Sequence, residues 1–202
     1  MNSHIDRRRI DRHRNHEAGF TLMETLVAMG VLTFGLLALA QTFVIGMTHM
    51  SFSTASIVAR EKAREAIESV HTARDTRTIT WAQIQNVAAG GVFRDAETAL
   101  LVPGADGLIN TADDGPAVES LTLPGEDNVL GTGDDVQTPL NGYFRRIVIT
   151  PIPGSTTLRQ LRVIMRYPVG SQAAPASCIR GDGTPITQPG CYVLTTFISQ
   201  YS

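Results

Sequence analysis

The chain has 202 residues, 43% hydrophobic and 18% charged, which excludes a disordered polyelectrolyte and leaves room for one ordinary domain and a small extra module. A net charge of -2 argues against a nucleic-acid binder held by phosphate contacts. That charge is unevenly placed: residues 1–19 hold Arg7, Arg8, Arg9, Arg12 and Arg14 against Asp6, Asp11 and Glu17, so this leader is +2 and the remainder is -4, 12 basic against 16 acidic residues.

Phe20 to Met47 follow the leader as 28 residues whose only ionisable member is Glu24. As a helix rising about 1.5 Å per residue, the run covers about 42 Å, more than the roughly 30 Å of a hydrocarbon core. A conventional signal peptide has an apolar region of only about 7 to 15 residues with its small-residue junction on the far side. Here the small residue, Gly19, stands on the near side. The arginines place the N-terminus in the cytoplasm by the positive-inside rule, so the chain beyond about residue 48 is expected outside the inner membrane. Glu24 is costly in an apolar helix and marks either a partner or a carboxylate that reaches the headgroups or sits protonated.

Gly19-Phe20-Thr21-Leu22-Met23-Glu24, between a short basic leader and an uninterrupted apolar helix, resembles the class III signal of type IV prepilins and type II secretion pseudopilins. The resemblance implies cleavage by prepilin peptidase between Gly19 and Phe20, N-methylation of Phe20, and an assembly role for Glu24 as fifth mature residue. In that family the glutamate pairs with the terminal amine of a neighbouring subunit. Two unlike charges in apolar surroundings are each costly alone and compensate when paired. The proline many major pilins carry at mature position 22 is replaced here by Gln41.

Beyond the apolar run, Ala59, Ala63, Ala66, Ile67 and Val70 form one apolar helical stripe, with Arg60, Glu61, Lys62, Arg64, Glu65 and Glu68 on the other faces. No proline lies between Phe20 and Ala89, so one helix can continue to about Arg74. Its charged face reads as solvated surface or as a site of inter-subunit pairing. A polar, acidic middle region, about 76–141, contains Trp81 and the Gly90-Gly91 pair. After it, Tyr143 to Thr150, Leu158 to Tyr167 and Tyr192 to Ile198 read as strands of an antiparallel meander that needs an apolar cover. The helix stripe is the available cover. The expected class is α+β and pilin-like, in five segments: a cytoplasmic leader over 1–19, a transmembrane helix over 20–47, its amphipathic continuation over 48–75, a variable region over 76–141 and a β-sheet over 142–202.

Cys178 and Cys191 are the only cysteines, and an exported topology predicts a disulfide between them rather than two free thiols. Their spacing fits no redox or zinc motif. In pilins such a C-terminal disulfide closes a surface loop.

The middle region contains a repeat: PGADGLINTADD over 103–114 and PGEDNVLGTGDD over 124–135, identical at 6 of 12 positions. Each copy supplies a first aspartate (Asp106, Asp127) and a later pair (Asp113 with Asp114, Asp134 with Asp135). Several carboxylates and carbonyls around sharp turns are what calcium requires, and the repeat resembles acidic loops of some extracellular proteins. Neither copy is an EF-hand, since Gly at position 6 and Glu at position 12 are missing. Metal-free turns in which aspartate side chains hold the backbone are the other reading.

No HExxH, GxSxG or phosphate-loop motif occurs in the exported part, so an enzyme is not expected. The expected function is a minor pilin or pseudopilin in a type IV pilus or secretion pseudopilus. Its partners would be prepilin peptidase, other pilins, an inner-membrane assembly platform and membrane lipid, with no nucleic acid. The last three strands resemble those of PilV-like minor pilins and related minor pseudopilins. The competing expectation is a single-span anchored module whose calcium loops form an adhesive surface without a filament.

Overall fold

The computed structural model describes residues 20–201, with backbone only for residues 48–53. Proline-free sequence gives one α-helix, α1, over Leu22–Asp75. Its C-terminus closes by a Schellman arrangement: Thr78 N–H reaches Ala73 O at 3.0 Å and Arg77 N–H reaches Arg74 O at 3.1 Å. Arg77 holds the left-handed position at φ 57°, where glycine is usual. The chain separates into two compact units, Met1–Ile45 and Gly46–Ser202. The first contains most of the apolar stretch Leu22–Met47, long and apolar enough to cross a membrane, none of it buried in protein.

In the second unit, β1 (Thr98–Ala99), β2 (Ser120–Leu123), β3 (Val136–Pro139), β4 (Phe144–Pro151), β5 (Leu158–Arg166) and β6 (Cys191–Ser199) follow α1 in sequence. The main sheet has the order β1-β4-β5-β6, antiparallel throughout, while β2 and β3 form a separate hairpin. Residues alternate across the main sheet. Ile147, Ile149, Leu161, Val163, Met165 and Ile198 pack with Ala59, Ala63, Ala66 and Val70 of α1, so the predicted stripe is the cover of the predicted meander. The α+β, pilin-like class is therefore the observed one.

Two devices organise the sheet's rim. Strand β1 pairs only with Phe144 and Arg145, which leaves the following β4 edge to be satisfied otherwise. The Asn86 side chain does this, donating from Nδ2 to Ile147 O at 2.8 Å and accepting the Ile149 N–H on Oδ1 at 2.8 Å. The amide thus takes the place of a neighbouring strand. At the far end, the Cys178–Cys191 disulfide forms, with the two Cα atoms 5.5 Å apart, and ties the loop before β6 to the strand's first residue.

Candidate functional site

At the start of α1, Thr21 acts as the helix cap. Its Oγ1 accepts the Glu24 N–H at 3.2 Å, and its carbonyl accepts those of Glu24 and Thr25 at 3.0 and 3.2 Å. Glu24 therefore lies in the first helical turn, where the helix dipole favours a carboxylate. Phe20, Glu24 and the apolar side chains that follow are exposed, presenting a continuous apolar cylinder with one acid near its start. Gly19 lies outside the described residues. Residues 14–40 match the family model of the prokaryotic N-terminal methylation motif.

This is a prepilin-type N-terminus. The motif, which spans 27 of the 202 residues, is that of type IV pilins and pseudopilins, and it implies processing by prepilin peptidase and assembly with other pilins. No curated protein and no solved structure matches the chain.

The duplicated loops of this prepilin-type chain are duplicates in three dimensions as well. Loop 1 (103–114) tips a stem in which Leu100 and Val102 pair with Glu119 and Ala117, and loop 2 (124–135) tips the β2–β3 hairpin. The Asp106 and Asp127 side chains accept the N–H groups of Leu108 and Val129, each at 2.8 Å. Asp113 and Asp134 reach back to the N–H groups of Asp106 and Asp127 at 3.2 and 3.3 Å. Asp114 and Asp135 hold Asn110 N–H and Gly131 N–H at 2.9 and 2.7 Å. Thr111 and Thr132 donate to Asp113 and Asp134 at 2.7 and 2.6 Å. Gly104 and Gly125 are required because a Cβ at either would run into the Asp113 or Asp134 carboxylate.

These bonds set the electrostatics. The Thr111 hydroxyl, then the Asp106 N–H, hold the Asp113 carboxyl below its ordinary value, and Thr132 with the Asp127 N–H does the same for Asp134. Asp114 moves the other way, because burial outweighs the N–H groups of Thr111 and Asn110.

The loops thus spend their aspartates on their own backbone. Among the described residues no three Asp, Glu, His or Cys side chains converge as a metal site, so Asp106, Asp113 and Asp114, like Asp127, Asp134 and Asp135, do not form a calcium cage in this arrangement. Protease sensitivity between Pro103 and Asp135 is expected to be the same with and without a chelator. Protection by millimolar calcium that magnesium fails to reproduce would show that the carboxylates rearrange around a cation.

Sequence reading missed a buried charge cluster. Arg145 is fully buried on the α1 side of β4, 3.4 Å from Glu119 Oε1, while Glu119 Oε2 lies 2.6 Å from Lys62 Nζ, an ion pair by distance without the angle of a hydrogen bond. The signal was in the alternation: Arg145, Ile147 and Ile149 share one face of a strand whose apolar members face the core.

Proposed function

We propose that this chain is a minor pilin or pseudopilin, cleaved between Gly19 and Phe20 and N-methylated on Phe20. It is held by its apolar helix in the inner membrane, with residues beyond about 48 outside the cytoplasm. From there it is drawn by an assembly platform into a type IV pilus or a type II secretion pseudopilus. The observation that carries this reading is the methylation motif over residues 14–40 at the head of a helix whose apolar stretch, 22–47, is not buried among the described residues. Such a surface is stable in lipid or against the helices of other subunits. Cleavage would free an amine on Phe20, the group Glu24 would pair with on a neighbouring subunit. That pairing fixes one axial position, because each charge is costly in the helix bundle without the other. The duplicated loops hold their aspartates as acceptors for backbone groups, which supports a structural rather than a catalytic exported unit.

Mass spectrometry of the membrane-bound or filament-bound protein tests the reading. A mature chain of 183 residues (202 minus 19) beginning with N-methyl-Phe20 is expected. In the same strain background, Glu24→Ala should insert and be processed but be absent from sheared filaments. An intact leader in the membrane fraction would overturn the proposal in favour of a single-span anchored module.

A further inference from the structure

The two loops share a backbone and differ in burial. In loop 1 Leu108 and Ile109 are each 3% exposed and lie beside Ser69, Thr72 and Ala73 of α1, whereas the matching Val129 and Leu130 of loop 2 are 54% and 61% exposed. The hairpin below adds exposed Leu123 and Val136. Because each loop is folded by its own hydrogen bonds, loop 2 holds its apolar pair in the shape that loop 1 uses when buried. The tip is preorganised for a cover that the described residues of its own chain do not supply.

Charge says what kind of cover it takes. The tip is ringed by Glu126, Asp127, Asp134 and Asp135, and the sequence has no Lys, Arg or His between Arg94 and Arg145. None of the four acids has a cationic partner among the described residues. The complement lies on the sheet face turned away from α1. There the register sets Val148, Arg162 and Thr195 in one row and Arg146, Ile164 and Val193 in the next, with Phe197 beside them opposite Gln160; Ile164 is buried, Val148 and Val193 are half-buried, and Thr195 and Phe197 are exposed. Arg146 and Arg162 have no carboxylate partner among the described residues, and Arg146 Nε is buried without a hydrogen bond. Exposed Phe197 with half-buried Val148 and Val193, beside two arginines that have no carboxylate partner among the described residues, fits an apolar tip within an acidic ring.

We propose that the Val129–Leu130 tip of one copy docks on the Arg146/Arg162 face of the sheet of a second copy. Tip and face are different patches, so the contact is head-to-tail rather than two-fold symmetric. It deepens the subunit reading, but it lies wholly in the second unit and does not require cleavage at Gly19. Its failure is therefore distinguishable from that of the processing reading, which the N-terminal mass decides.

The test uses the full chain in its membrane. One copy carries Leu130→Cys and a co-expressed copy carries Thr195→Cys, and mild oxidation should give a mixed dimer only when both are present. Adding Arg162→Glu to the second copy should reduce the dimer about tenfold, as should Val129→Asp on the first, and Glu126→Arg on the first should restore the Arg162→Glu pair. Unchanged protease resistance of each variant shows that the fold survives. Cross-linking no stronger than that of a control copy with Ser171→Cys, or capture of a different protein by Leu130→Cys, would overturn the proposal.

Discussion

Glu119→Ala is expected to destabilise the second unit by about 3 to 5 kcal/mol, because it removes the carboxylate that compensates a fully buried guanidinium. Arg145 has Nε and Nη1 without partners, so the Glu119 contact is the only close compensation for its charge among the described residues. Burial pushes the Arg145 value down, and the neighbouring carboxylates of Glu119, Glu65 and Asp114 oppose that push. Denaturant unfolding of the full chain in detergent, followed by fluorescence of the single tryptophan, Trp81, would read the loss. A double change, Glu119→Leu with Arg145→Met, should recover most of it, since apolar residues of similar volume replace a buried pair at little cost. An unchanged midpoint for Glu119→Ala would show that water reaches the site.

The same cluster has a pH signature. Burial alone would lower the Lys62 value, but Glu119 and Glu65 outweigh it and hold the ammonium above the ordinary 10.5. A raised folded value means that the stabilisation is complete below the unfolded lysine value and is lost as pH rises through the folded one. The pair therefore contributes fully at neutral pH, and its loss belongs to strongly alkaline solution.

Asn86→Ala should cost about 2 to 4 kcal/mol, since it leaves both Ile149 N–H and Ile147 C=O, at a buried strand edge, without partners. The measurement that isolates the effect is amide hydrogen exchange at Ile149, which should accelerate well beyond that of residues on β5. Asn86→Asp provides the control, because it keeps the acceptor, loses the donor and adds a charge at a site only 8% exposed. Protection at Ile149 should then be partly retained while overall stability falls. Full protection in Asn86→Ala would mean that another group takes over the edge.

What was legible in the sequence follows from how each feature is encoded. Strands β4 to β6 announced themselves because segments of eight or nine residues rich in β-branched, aliphatic and aromatic side chains run between Pro, Gly and Ser clusters, and their ends fell within a residue or so of expectation. The alanine stripe of α1 was readable because helical period and burial coincide. Strand β1 was not, since two residues paired by register carry no period. Nor was Asn86: a polar residue in a polar stretch looks the same whether it faces solvent or stands in for a strand. The duplicated loops were found by identity of residues, but their separate fates were hidden. Leu108-Ile109 and Val129-Leu130 are equally apolar, and only tertiary placement leaves the second pair uncovered.

The alanines of α1 carry a consequence for divergence. Ala59, Ala63 and Ala66 are wholly buried against the sheet, which means that the spacing between helix and strands is set by the smallest side chain that still has a Cβ. Growth of any of them by even a methylene would wedge the layers apart, and no neighbouring side chain is smaller to give way. Drift in this protein should then be lopsided: residues 76–141 can exchange loops, lengthen or be duplicated again, as the repeat at 103–135 already records, while the three alanines stay fixed. Among descendants of one ancestor, the small stripe would be the trait that persists after the hairpin tips have ceased to resemble one another.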